Sequence, residues 1–156
     1  MDGLSLSWRS LPESLIDRHG LQDRAIARSD GADREFRFLY RDVRPVLPVW
    51  VANELTVLPW GQPPRRSKLP RTRIVAHETL KAGIWQQVHP QPVEIPANFG
   101  LDKGVWYRIR EGVQGILVRD ESGSPVVYLL TEPATHYYQI MTRNNRMPML
   151  CGGERI

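Results

Sequence analysis

Gly115-Ile116-Leu117-Val118-Arg119-Asp120-Glu121-Ser122-Gly123-Ser124-Pro125-Val126-Val127-Tyr128-Leu129-Leu130 sets two apolar runs, rich in β-branched residues, on either side of a polar pentapeptide. Such side chains fit a pleated sheet, and Asp, Ser and Gly supply the turn. Residues 115–119 and 125–130 therefore read as a hairpin with a longer loop between them. Downstream, Thr131-Glu132-Pro133 has the order of a helix start, with Thr131 as N-cap and Glu132 and Pro133 in the first turn. This predicts a third helix that ends before Asn144-Asn145. Upstream, residues 93–95 and 105–109 read as strands, and 77–87 as a second helix stopped by Pro90 and Pro92. Residues 46–51 and 54–58 flank Ala52-Asn53 as another hairpin, and Pro45, Pro48 and Pro59 are expected at edges or strand ends. Residues 36–40 are strand-like and 29–35 form a polar loop. A first helix over 11–19 is opened by the capping box Ser10-Leu11-Pro12-Glu13 and stopped at Gly20. Strands in runs, mixed with isolated helices and without βαβ alternation, predict an α+β fold.

The chain has 156 residues, 41% of them hydrophobic and 24% charged. That is the length and composition of one folded domain, 1–156, able to bury its own core. No apolar run approaches the roughly 20 residues that span a bilayer. Met1-Asp2-Gly3-Leu4 lacks the basic-then-apolar order of a secretory signal. Cys151 stands alone, so no intramolecular disulfide can form, and a reducing, cytoplasmic setting is expected.

Net charge is +4, from 21 basic and 17 acidic residues. Its distribution is more informative than its size. Arg65, Arg66, Lys68, Arg71 and Arg73 crowd one segment without an acid, and Arg143 and Arg146 form a second basic stretch. Clusters of this kind suit phosphate backbones, where binding is driven by counterion release. A solvated basic loop accounts for the same residues equally well. Trp60 sits directly before the basic segment. It reads either as core, like Trp50, Trp85 and Trp106, or as a platform on which an unpaired base could stack. The histidines His19, His77, His89 and His136 lack metal-ligand spacing, so neither a metal nor a cofactor is expected. Cys151, six residues from the end beside Gly152-Gly153, is a weak candidate nucleophile.

Several short blocks, in order, resemble the SOS-response-associated peptidase family. They are Ile16 to Leu21, Tyr40 to Val49, Pro59-Trp60-Gly61, Ile74 to Thr79, Pro96-Ala97 with Gly104 to Tyr107, Leu130-Thr131-Glu132-Pro133-Ala134, and Asn144-Asn145-Arg146-Met147-Pro148. The last two are the most specific, and the order and spacing of the rest carry the likeness across nearly the whole chain. The resemblance implies a mostly antiparallel sheet curled into a partial barrel with three short flanking helices. It also implies binding of single-stranded or abasic-site DNA in an SOS, DNA-damage context. Family members use a cysteine placed after the initiator methionine. Its freed amine and thiol close a ring on the sugar aldehyde, assisted by an asparagine, a glutamate and a histidine.

This chain departs at each of those positions. Asp2 stands for the cysteine, and a side chain of that size also disfavours removal of Met1. Ile74 stands for the asparagine, Tyr107 (or else Asp102) for the glutamate, and Asn144 for the histidine. Asn144 can hydrogen-bond but does not titrate near neutrality. The resemblance thus implies no catalytic residues and a noncovalent DNA binder using Arg65, Arg66, Lys68, Arg71, Arg73, Arg143, Arg146 and Trp60. For Arg146, a buried structural contact is the equal alternative. Two further readings stand beside it. One is an enzyme with reassigned residues, His77 or His136 working with Glu78 or Asp2. The other is a noncatalytic protein-interaction module of phage or mobile-element origin.

Overall fold

The computed structural model describes residues 1–27, 33–153 and 155–156. Its strands are β1 (Gly3–Ser7), β2 (Ala25–Ala27), β3 (Arg34–Leu39), β4 (Val46–Val51), β5 (Glu54–Pro59), β6 (Ile74–Ala76), β7 (Gln91–Ile95), β8 (Phe99–Asp102), β9 (Val105–Arg108), β10 (Val113–Arg119), β11 (Pro125–Pro133) and β12 (Arg146–Pro148). The helices are α1 (Glu13–His19), α2 (Gly83–Val88) and α3 (His136–Thr142). One sheet runs β2-β3-β1-β8-β9; the other runs β12-β11-β10-β7-β4-β5, with β6 added beside β11. Among the described strands every pairing is antiparallel except β6 with β11. The class is α+β. No described helix is long and apolar enough to cross a membrane.

The hairpin at 115–130 is there, and its unbroken apolar sequence has a physical cause: both of its faces are covered. Leu117, opposite Val127, and Leu129 join the larger core with Leu4, Phe38, Leu47, Ile95 and Trp60. Ile116, opposite Tyr128, and Val118, opposite Val126, face a second core closed by Leu69, Val75 and Trp85. Trp85 meets Tyr128 edge-on, centroids 5.0 Å apart. The turn is tied by Asp120, whose Oδ1 accepts from the backbone N–H groups of Ser122 (2.9 Å) and Ser124 (2.8 Å). The second hairpin, β4–β5, turns at Ala52 and Asn53, both at positive φ (48° and 64°), the backbone of a two-residue turn matched to sheet twist.

Five sequence expectations are corrected. Thr131-Glu132-Pro133 opens no helix; it ends β11, because Thr131 pairs with Pro148 on one side and Ala76 on the other. The cap of α3 is Thr135, whose hydroxyl accepts from Tyr138 N–H at 3.2 Å. The helix predicted over 77–87 is a 3-10 turn at His77–Thr79 followed by α2, since Gly83 at φ +58° interrupts a continuous right-handed helix. Ser10 caps nothing, and α1 begins at Glu13 behind Pro12, whose carbonyl receives the first helical N–H groups. Pro48 lies inside β4 rather than at its end. The sheet accommodates it because β4 touches β7 at one pair only, Trp50 with Glu94. Of the loop predicted over 29–35, residues 29–32 lie outside the described residues, and Arg34 and Glu35 already belong to β3.

Candidate functional site

The start of the chain is held between two strands. Asp2 N–H donates to Leu101 O at 2.7 Å, and Tyr40 N–H donates to Asp2 O at 3.0 Å. Pairing of β1 with β3 and β8 continues that grip. Met1 is thereby driven into the main core, and its α-ammonium comes to rest 3.3 Å from Asp102 Oδ1 at the end of β8. Asp102, 1% exposed, collects two further donors. Tyr138 OH, from α3, donates to Oδ2 at 2.7 Å, and Asn144 Nδ2, just after α3, lies 3.0 Å from the same oxygen. Tyr107 OH, from β9, is 3.1 Å from Tyr138 OH and 3.1 Å from Met1 Sδ. Asn144 is itself fixed, its N–H on Thr142 Oγ1 (3.2 Å) and its Oδ1 accepting from Arg146 N–H (3.1 Å).

Burial dominates the protonation of this cluster. It holds the Met1 amine below its ordinary value, opposed by the Asp102 carboxylate. Burial also pushes the Tyr107 and Tyr138 hydroxyls well above theirs, so both remain protonated donors. The Met1 and Asp102 side chains are only 1% and 2% exposed. An ion pair so enclosed is built to be kept: removing one partner of a buried pair costs about 3–5 kcal/mol. The arrangement is a polar clasp joining β1, β8, β9 and α3.

Above the clasp opens a cleft of about 360 Å³, lined by Asp2, Leu39, Tyr40, Arg41, Arg73, Leu101 and Gly104. Asp2 Oδ2 accepts from Lys103 N–H at 2.8 Å, and Oδ1 is 3.3 Å from Arg73 Nε. Lys103 Nζ continues to Arg143 O at 2.8 Å. Lys103 and Gly104 both take positive φ (46° and 81°), which brings the tight β8–β9 turn up against Asp2. The Asp2–Arg73 pair is 40% exposed on both sides, so it contributes only ~0–1 kcal/mol. Arg41 is exposed and has no hydrogen bond or ion pair among the described residues.

Trp60 is not a stacking platform. It is 0% exposed, its indole N–H donates to Arg73 O at 2.9 Å, and Tyr40 meets it edge-on at 5.2 Å. Burying a tryptophan is worth roughly 4–6 kcal/mol at about 25 cal/mol per Å², more than the ~1–3 kcal/mol a stacked base would return. Its work is to close the neck of the basic loop. Gly61 beside it has φ +60°, and a Cβ there would stand 2.0 Å from Thr72 O. Trp50, read as core, is 42% exposed on β4. Trp106 lies under the Arg37 guanidinium, 4.9 Å from its centroid.

The other predicted residues divide. Arg65, Arg66, Lys68 and Arg71 are exposed on the loop between β5 and β6, which is fastened by Lys68 N–H to Glu121 Oε1 (3.0 Å). Arg143 is exposed at the end of α3. Arg146 is a structural contact: its Nη2 binds Glu78 Oε2 at 2.9 Å and Thr131 O at 2.8 Å, so it is not free for phosphate. The hydrogen bond from Arg146 holds the Glu78 carboxyl below its usual range, and the carboxylate is committed to that guanidinium at 2.9 Å rather than to a histidine. Ile74 packs against the main core from β6, next to Arg73. His77 and His136 are exposed, and neither is hydrogen-bonded to Asp2 or Glu78. Cys151 is buried away from the clasp, its N–H on Gly112 O (3.0 Å), and burial pushes its thiol up to about 11. Among the described residues no group of three His, Cys, Asp or Glu side chains could hold a metal.

Asp2, Tyr107 and Asn144 are therefore brought together, and Asp102, the lesser of two alternatives in the sequence, is the carboxylate at their centre. Sequence reasoning missed Tyr138, Arg41 and Lys103. Tyr138 carried one signal: three positions after the capping Thr135, it falls on the buried side of α3. Comparison of the chain with protein-family models and with curated proteins finds no match.

Proposed function

We propose that this chain is a site-degenerate relative of the SOS-response-associated peptidases that holds single-stranded or abasic-site DNA without forming a covalent bond to it. The observation that carries the reading is the meeting of Asp2, Tyr107 and Asn144, positions matched separately to the family site, around Asp102 and the chain's own amine. An isolated bridge from Trp60 to Val127 brings the end of β5 back to β11, which supports a sheet curled into a partial barrel. The chemistry is absent by composition: the one thiol, Cys151, is buried elsewhere, and the amine is enclosed with Asp102. The cleft sets Arg41 and Arg73 against one carboxylate, Asp2, with Lys103 in the adjoining turn and its ammonium on Arg143 O. On a single strand, three or four phosphate contacts give a slope of log K against log salt of about −2 to −3. Titration of a labelled oligonucleotide across salt tests this: no binding at low salt, or binding without that slope, removes the DNA reading. A heat-stable adduct with an abasic oligonucleotide on a denaturing gel removes the noncovalent one. A protein-interaction module is favoured by one observation, Tyr137 and Ile140 standing exposed one turn apart on α3. Co-purification of a defined partner through that face, without DNA binding, is its test.

A further inference from the structure

The cleft above the clasp is unusual in how its charges are divided. Two guanidiniums, Arg41 and Arg73, line it against one carboxylate, Asp2, so one positive charge is left over before Lys103 on the rim is counted. That surplus sits on Arg41, which no described residue neutralises. The Arg73 guanidinium meets Asp2 through Nε, a nitrogen that is itself covered, while 40% of each side chain stays exposed and the Arg73 Nη groups are left for a ligand. Asp2 is meanwhile anchored independently by Lys103 N–H, so the carboxylate stays in the cleft whether or not Arg73 remains with it. The walls, Leu39, Tyr40 and Leu101, limit how many waters can screen a charge between the two arginines.

We infer that the cleft is a phosphate subsite in which Arg41 is the first contact and Arg73 the second, and that Asp2 is an internal anion competing for Arg73 and so setting the site's affinity. This rests on the DNA-binding reading for its biological ligand, a phosphate of an unpaired strand. The recognising chemistry, a tetrahedral oxyanion between two planar forks, is shared with free phosphate. An exposed pair such as Asp2–Arg73 is weak enough for an incoming oxyanion to displace. Removing the competing charge then strengthens binding. Asp2→Asn keeps the shape and an oxygen for Lys103 N–H, so the turn stays in place.

The test uses the full chain, its Arg41→Ala, Asp2→Asn and Asp2→Asn/Arg73→Ala variants, one labelled unpaired oligonucleotide and inorganic phosphate as a second probe. Each variant is first matched to the wild type by urea unfolding. Asp2→Asn is expected to tighten oligonucleotide binding about tenfold at low salt and to steepen the salt slope, since another phosphate is neutralised without an internal rival. Arg41→Ala is expected to weaken binding and to flatten the slope by about one contact. The double variant is expected to lose the gain. Oligonucleotide binding that is indifferent to Arg41→Ala and Asp2→Asn overturns the subsite while leaving the DNA reading standing. Phosphate binding that follows this pattern without any oligonucleotide binding upholds the subsite and overturns the DNA reading. Neither probe bound by wild type or by Asp2→Asn overturns both.

Discussion

Asp102→Ala tests whether the polar clasp holds the fold together. The carboxylate accepts from the buried Met1 ammonium at 3.3 Å, the buried Tyr138 OH at 2.7 Å and the half-buried Asn144 Nδ2 at 3.0 Å. Deleting it leaves a buried cation without its counter-ion and two donors without an acceptor. Breaking a buried pair from one side costs about 3–5 kcal/mol, against roughly 5–15 kcal/mol for a whole domain. With a urea slope of about 2 kcal/mol per M, the unfolding midpoint should fall by about 2 M. Asp102→Asn keeps an acceptor for Tyr138 and should lose about half as much. Asp2→Ala, one residue from Met1 but solvent-open, should lose no more than ~1 kcal/mol. Urea unfolding by tryptophan fluorescence measures all three; equal losses for Asp102→Ala and Asp2→Ala would refute the argument. The pH dependence has a definite sign. The folded-state amine titrates below its ordinary 8.0, so between the two values the unfolded chain binds more protons. This contribution to stability is present above pH 8.0 and is lost as pH falls through the folded value. In Asp102→Asn the amine loses the carboxylate that opposed burial, so the rise should begin at lower pH and be larger. Stability that instead declines with pH across this interval contradicts the stated cause.

Other outcomes follow from the neck of the basic loop and from the thiols. Gly61→Ala must place a Cβ against Thr72 O at a backbone angle that L-residues avoid, so a loss of about 2 kcal/mol or more is expected in the same urea assay. Trp60→Phe should lose about 1–3 kcal/mol through the missing N–H to Arg73 O and the void it leaves. Its oligonucleotide affinity should fall only in step with stability, and a tenfold loss at unchanged stability would restore a stacking role. Cys151, buried and with its thiol raised to about 11, should resist a thiol reagent at pH 8 until urea unfolds the chain; rapid native labelling would contradict its burial. Asp2→Cys, with retention of Met1 checked by mass spectrometry because so small a side chain permits its removal, should still give no adduct with an abasic oligonucleotide. The thiol would stand beside Arg73 and Lys103, while the amine remains on Met1, enclosed with Asp102. A heat-stable adduct would show that the enclosed amine is reachable.

What could be read from sequence was what local chemistry decides. The β4–β5 turn was legible because Ala52-Asn53 separates two strands that pair immediately with each other. The β10–β11 hairpin was legible for the same reason. By contrast β1, the middle strand of its sheet, went unread. Leu4-Ser5-Leu6-Ser7 is short, and its partners lie far along the chain, at Glu35 to Leu39 and at Phe99 to Leu101. Thr131-Glu132-Pro133 has the composition of a helix start, but pairing on both sides outweighed a cap worth about 1 kcal/mol. The short β12 depends on the same strand and was hidden with it.

The site divides along the same line. Asp2, Tyr107 and Asn144 could be nominated because the order of motifs along a chain survives the loss of chemistry. The importance of Asp102 could not be ranked, because a carboxylate gains its weight from what burial brings to it, and Met1 and Tyr138 come from opposite ends of the sequence. Charge counting failed in the opposite direction. It gave Arg146 and Arg41 the same formal value, yet Arg146 is tied to Glu78 and Thr131 while Arg41 has no described partner. A guanidinium able to meet a phosphate is one the fold leaves unpaired, and that follows from the geometry of neighbouring acids rather than from the density of basic residues along the chain. Arg65, Arg66 and Arg71 on the arginine-rich loop are exposed as well; the cleft at Asp2 differs in setting two guanidiniums, Arg41 and Arg73, around one space, and there the affinity for an anion should be decided.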